Sequence, residues 1–147
     1  NIVQGVIAGG NDALVKSIEG AEDDLKLAVG DFKKLKVNES DSIIGITSSG
    51  STPYVLKFLE LGYKKGALTS IITSNKIKKL NYVNHTIAIM VGPEIITGST
   101  RMKSGTATKM VLNMISTTTM IKLNKGGYYG KILCFRKVYC LRISRFC

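Results

Sequence analysis

The amino-acid sequence predicts an α/β fold in which helices cover a parallel sheet, and three observations carry the prediction. Short β-rich runs alternate with helical patterns along the chain. Residues that favour helix starts recur after those runs, at Asn11 and Asp12, at Thr52 and Pro53, and at Ser99 and Thr100. The chain has 147 residues, 44% of them hydrophobic, which is enough for one domain with a core of its own. A strand, helix, strand, helix order places successive strands parallel, because each helix carries the chain back across the sheet.

The elements follow in order. "IVQGVIA" (2 to 8) reads as the first strand, and a helix is expected from Asn11 or Asp12. A second helix is expected over Asp23 to Leu35, with Leu25, Leu27, Val29 and Phe32 available for packing. "SIIGIT" (42 to 47) is the next strand, and the helix after it has Thr52 as N-cap and Pro53 at its first position. Val55, Leu56 and Leu59 lie on one side of that helix, and Gly62 is expected to stop it. "ALTSIIT" (67 to 73) and "TIAIMV" (86 to 91) are further strands. The last helix is expected near Ser99 or Thr100, with Ala107, Met110, Val111, Met114 and Ile115 forming an apolar stripe at helical spacing. After Leu123 no clean period is visible, and residues 124–147 form a basic tail that holds every cysteine.

Charge and composition exclude several classes of function. Residues 1–60 carry 6 Lys against 9 acids, whereas residues 61–147 carry 15 Lys or Arg against the single acid Glu94. That excess is scattered and matches no nucleic-acid motif, so a nucleic-acid partner is not expected, and a pocket for a small anion fits equally well. No apolar run reaches the length of a membrane span, so no membrane partner is expected, and no signal-peptide pattern opens the chain. The lack of an initiator methionine suggests a piece whose natural beginning lies upstream. Cys134, Cys140 and Cys147 match neither a zinc site nor a disulfide framework, which suggests a reducing cytoplasm. His85, the only histidine, opens an apolar run and reads as a strand-end residue, so metal chemistry is not expected.

Two stretches carry candidate chemistry. "GITSSGSTPYVL" (45 to 56) sets Thr47, Ser48, Ser49, Ser51 and Thr52 around Gly50, between a strand and a helix start. In open α/β sheets ligands bind beyond the carboxyl ends of the strands, and a helix N-terminus there favours an anion. The stretch has no P-loop lysine pattern, and the chain has no GxGxxG, so a phosphate on a small ligand is a better match than ATP or a dinucleotide. Ordinary turn and capping roles remain the other reading of these hydroxyls. "SIEGAEDD" gathers Glu19, Glu22, Asp23 and Asp24; on a helix Glu19 and Glu22 share a face, and a solvated acidic helix end is the plain alternative. Glu94, in "GPEIITGSTRMKSG", follows a strand and precedes the last helix, which is again a pocket position.

"GVIAGGNDALVKSIEGAEDD", "GITSSGSTPYVL" and "VGPEIITGSTRMKSGTATKMVLNMIST", in this order, resemble the etherase branch of the sugar isomerase (SIS) domain family over residues 1 to about 123. The resemblance implies a three-layer α/β/α parallel sheet, here a partial SIS domain over 1–123 that is incomplete at its N-terminus, followed by the atypical tail 124–147. It implies a sugar 6-phosphate substrate, seated by Thr47, Ser48, Ser49, Gly50, Ser51 and Thr52 with Glu94. It also implies an etherase reaction, in which D-lactate leaves C3 of N-acetylmuramic acid 6-phosphate and N-acetylglucosamine 6-phosphate remains. With the ring open, a base takes the C2 proton, an acid assists departure of the C3 oxygen, and water adds back, without metal or cofactor. The family's "EGAED" glutamate falls on Glu22, which is assigned the C2 proton.

The same resemblance places a second catalytic glutamate, a first Ser-rich loop and the first strand upstream of "GVIAGG". Ser51 stands where relatives commonly have Arg, while Arg101 and Lys103 in the intact "STRMKSGTA" offer positive charge. Where the family continues into a further helical segment, this chain runs into its tail, as a truncated or frame-altered product would. A cytoplasmic homodimer is implied. A sugar-phosphate-binding SIS module of a regulator, without catalysis, is the alternative.

Overall fold

The computed structural model describes residues 3–123 in full and residues 140–144 by their backbone. Two compact units make up the chain, one of residues 1–90 with 137–147 and one of residues 91–136.

The first unit contains five strands: β1 (Val3–Val6), β2 (Asp41–Ile46), β3 (Leu68–Thr73), β4 (His85–Ala88) and β5 (Cys140–Ser144). Their order in the sheet is β1-β5-β2-β3-β4. β2, β3 and β4 are parallel neighbours, with Ile44 opposite Ser70 and Ile72 opposite Ile87. β5 runs antiparallel to both β1 and β2, so β1 points the same way as β2, β3 and β4. The expected parallel α/β sheet is therefore present, with one strand from the tail inserted against its direction. β2 is buried on both faces except at Ser42, as an apolar central strand should be, whereas β4 is largely exposed at the sheet edge.

Helices α1 (Leu25–Leu35) and α2 (Pro53–Lys64) belong to this unit. Asp24 caps α1 through its carboxylate, which accepts the amides of Lys26 at 2.7 Å and Leu27 at 3.0 Å. α2 lays Tyr54, Val55, Phe58 and Leu59 into the core with Ile43 of β2 and Ile71 of β3. Full burial of each such side chain contributes about 1.5–3 kcal/mol. α1 joins them through Ala28 and Phe32, whose ring meets Phe58 edge-on at 5.2 Å between centroids. The Tyr54 hydroxyl, carried inward with its ring, donates to Asp31 of α1 at 3.0 Å.

Several elements differ from the sequence expectation. The helix expected from Asn11 or Asp12 is a short 3-10 segment, Gly10–Leu14, and left-handed backbone at Gly20 keeps it from running on toward α1. Glu19 and Glu22 consequently lie outside any helix, and the shared face inferred for them does not exist. Gly62 does not stop α2. The helix continues to Lys64, and Gly62 is a buried contact where an added Cβ would come 2.4 Å from the Ile43 Cδ1. β5 forms in a tail whose sequence has no strand period, since pairing on two sides supplies backbone hydrogen bonds whatever the side chains.

The second unit contains α3 (Lys103–Lys122), which starts later than Ser99 or Thr100. Of its expected apolar stripe, Met110 and Met114 are exposed and Val111 is half-buried, while Leu112 is the buried apolar residue of the helix. No helix among the described residues is long and apolar enough to cross a membrane.

Candidate functional site

Because β1, β2 and β3 point the same way, the segments that leave their carboxyl ends emerge along one edge of the first unit. These are residues 7–24, 47–52 and 74–84, and α2 begins among them. Open α/β sheets bind ligands at this edge.

The hydroxyl stretch folds around Thr47. Its backbone N–H donates to the Ile72 carbonyl at 3.0 Å, which extends the β2–β3 ladder by one step. The buried Thr47 Oγ1 meets the Thr52 Oγ1 at 2.7 Å and the Ser49 Oγ at 3.3 Å, and accepts the Gly50 amide at 3.3 Å. Ser49 Oγ accepts from the Ser51 amide at 3.2 Å and the Ser51 hydroxyl at 3.0 Å. Thr47 is therefore the internal organiser, whereas Ser49 and Ser51 are exposed and Thr52 is half-buried. Gly50 adopts φ 79°, and an added Cβ would lie 2.2 Å from the Ile77 Cγ2 and 3.1 Å from the Thr73 Oγ1. Only glycine fits both the left-handed backbone and that close approach.

The N-terminus of α2 lacks a side-chain cap, since the Thr52 hydroxyl turns to Thr47 and not to the helix amides. Pro53 brings no N–H to the first turn. The Tyr54 amide is taken by the backbone carbonyl of Glu22 at 2.9 Å. One hydrogen bond thus fixes Glu22, the predicted catalytic residue, against the helix start that follows the predicted anion loop. The Glu22 side chain is exposed, so its carboxylate is open to solvent.

The sequence reading missed the support that comes from the end of β3. Ser48 presents its carbonyl to three donors: the Thr73 hydroxyl at 3.1 Å, the Ser74 amide at 3.0 Å and the Asn75 side-chain amide at 2.9 Å. The "TSN" at 73–75 occupies the same carboxyl-edge position on β3 that "TSS" occupies on β2, and that parallel is the signal from which these residues were legible.

Glu94 lies in the second unit, where it acts as a helix cap. Its Oε2 accepts the Lys103 amide at 3.1 Å and its Oε1 the Ser104 amide at 3.0 Å. Those two bonds, assisted by the Lys103 charge, hold the Glu94 carboxyl below its usual pKa. The Lys103 ammonium donates to the Pro93 carbonyl at 2.8 Å, which closes the turn that precedes α3. A cavity of about 520 Å³ lies along α3, lined by Met114, Ile115, Thr118, Thr119, Lys122 and Leu123. It contains none of the predicted site residues. Cys134 and Cys147 lie outside the described residues.

Comparison with known proteins agrees with the motifs. Residues 1–63 match the model of the glucokinase regulatory protein N-terminal SIS domain. The N-acetylmuramic acid 6-phosphate etherase of Mycoplasma mycoides is 55% identical over 126 residues, which cover 85% of this chain and 42% of that protein. The proteins of the same name from Clostridium beijerinckii and Lactobacillus johnsonii are 51% and 52% identical, over 90% and 88% of this chain and 43% of each relative. The chain spans about two-fifths of the length of these relatives, and over 85% to 90% of its own length it resembles N-acetylmuramic acid 6-phosphate etherases.

Proposed function

We propose that this chain is part of an N-acetylmuramic acid 6-phosphate etherase and that its hydroxyl loop seats the sugar phosphate. The observation that carries the proposal is the Tyr54 to Glu22 backbone bond of 2.9 Å, which sets the base candidate beside the end of the hydroxyl loop that would hold the anion. Phosphate oxygens are met by hydroxyls and amides of the Ser48 to Thr52 turn, with Ser49 and Ser51 on its exposed side. Thr47 serves by holding Thr52 and the Gly50 amide in place.

In the reaction, Glu22 removes the C2 proton of the open-chain sugar, the D-lactyl ether at C3 leaves with help from an acid, and water adds to the resulting alkene. The overall change is carbon-oxygen bond lyase chemistry followed by hydration. Glu94 joins the substrate-binding set on the strength of its "VGPEIITGSTRMKSG" motif; in this structure its carboxylate shapes the start of α3. A cytoplasmic homodimer engaged in amino-sugar recycling from the cell wall completes the proposal.

The exposure of Glu22 to solvent, where a carboxylate is not desolvated for proton abstraction, favours a second reading, a sugar-phosphate-binding SIS module without turnover. Calorimetric titration with N-acetylmuramic acid 6-phosphate, followed by an assay for released D-lactate, separates the two. Binding with lactate release supports the etherase, binding without it supports the module, and absence of binding removes both.

A further inference from the structure

We propose that Asn75 is a positioning residue of the sugar-phosphate seat: it holds the Ser48–Ser49 peptide so that the Ser49 N–H faces the bound phosphate. The inference rests on the sugar-phosphate reading above and adds a residue to it.

The Ser48 carbonyl receives donors from three consecutive residues at the end of β3. No cis peptide bond occurs among the described residues, so the Ser48–Ser49 amide is trans. In a trans peptide the C=O and the following N–H point in opposite directions. Anchoring the carbonyl toward β3 therefore turns the Ser49 N–H away from β3, to the open side of the loop. The neighbouring amides are already engaged, Gly50 with Thr47 and Ser51 with the Ser49 hydroxyl. Among the described residues no acceptor meets the Ser49 N–H. A backbone N–H left open beside hydroxyl donors offers a phosphate oxygen a charge-assisted hydrogen bond.

Two of the three anchors are part of the fold, since Thr73 and Ser74 are buried. Asn75 is exposed, and its side chain reaches back at 2.9 Å to a carbonyl that has two other donors. Its own backbone N–H donates to the Thr73 Oγ1 at 3.2 Å, which fixes the direction from which the side chain approaches. An exposed amide held this way contributes little to the core and much to the orientation of one peptide plane.

The test uses the full chain and four proteins: the parent, Asn75→Ala, Asn75→Asp and Asn75→Gln. N-acetylmuramic acid 6-phosphate is titrated into each, the Ser49 amide is followed by NMR, and the unfolding midpoint is measured alongside. Asn75→Ala is expected to weaken binding about threefold to tenfold with an unchanged midpoint, in line with the loss of one hydrogen bond at an exposed position. Asn75→Asp weakens it further, because a carboxylate repels both the Ser48 carbonyl and the ligand. Asn75→Gln retains the donor and recovers part of the affinity. The Ser49 amide resonance moves on binding in the parent and moves less in Asn75→Ala. Parent-like affinity in Asn75→Ala, or a Ser49 amide that ignores the ligand, overturns the role of Asn75 and leaves the site reading intact. A parent chain that binds no sugar phosphate overturns the site reading and this inference with it.

Discussion

Replacing Gly50 with alanine probes the geometry on which the anion loop depends. The φ of 79° puts any L side chain in the left-handed region, at a cost of about 1–2 kcal/mol. The new Cβ would also sit 2.2 Å from the Ile77 Cγ2, well inside van der Waals contact. Relief requires a shift of the Ile77 side chain or of the loop, and overpacking of this kind costs about 1–3 kcal/mol. Together the two effects amount to about 2–5 kcal/mol, a large share of the ~5–15 kcal/mol by which domains are stable. Urea unfolding of the parent and of Gly50→Ala, with a check that the slope is unchanged, measures the sum. A double-mutant cycle with Ile77→Ala separates the parts. Truncating Ile77 removes the clash and leaves the backbone cost, so the pair should be coupled by about 1–3 kcal/mol. Equal stability of Gly50→Ala and the parent, or strict additivity with Ile77→Ala, would refute the described packing of residue 77 over the loop apex.

Other expectations concern single groups. Gly62→Ala should destabilise by about 1–2 kcal/mol in thermal unfolding despite better helix propensity, because its Cβ meets Ile43 at the α2–β2 contact. Thr47→Val keeps the shape but strands the Gly50 amide, and a loss of about 1–3 kcal/mol with weakened sugar-phosphate binding is expected by denaturation and titration. Glu22→Gln leaves the backbone bond to Tyr54 in place, so circular dichroism and ligand affinity should match the parent while any D-lactate release disappears. For Glu94 the folded pKa lies below the usual 4.5, so its stabilisation of the α3 start is complete above about pH 4.5 and is lost as pH falls through the lower folded value. Far-UV circular dichroism should register that loss in the parent and a flatter acid limb in Glu94→Gln.

Much of the first unit was legible because local signals and tertiary needs agree there. Thr52 and Pro53 mark the α2 start, the helix expected over Asp23 to Leu35 is present as α1 from Leu25, and the apolar runs of β2 and β3 are buried as their composition demands. Legibility ended where contact decides conformation. Gly62 is a helix breaker by type, yet the space against Ile43 admits no side chain, so packing keeps glycine within the helix. Thr52 looks like a capping residue, but its hydroxyl is drawn 2.7 Å from Thr47, a partner five residues back. The union of Glu22 with α2 spans more than thirty positions of sequence, and no local pattern encodes a backbone bond of that reach. Asn75 escaped notice for a related reason, since its role depends on the parallel pairing of β2 with β3, which aligns the two strand ends.

The most direct test of the account is a backbone-amide NMR titration of the parent chain with N-acetylmuramic acid 6-phosphate, run beside the same sugar without its phosphate. The account predicts that amides from Ser49 to Thr52 and from Glu22 to Asp24 shift together with one dissociation constant, and that removing the phosphate abolishes most of the affinity. Shifts centred on the exposed lysines of residues 33–36, or equal binding of the two sugars, would contradict it.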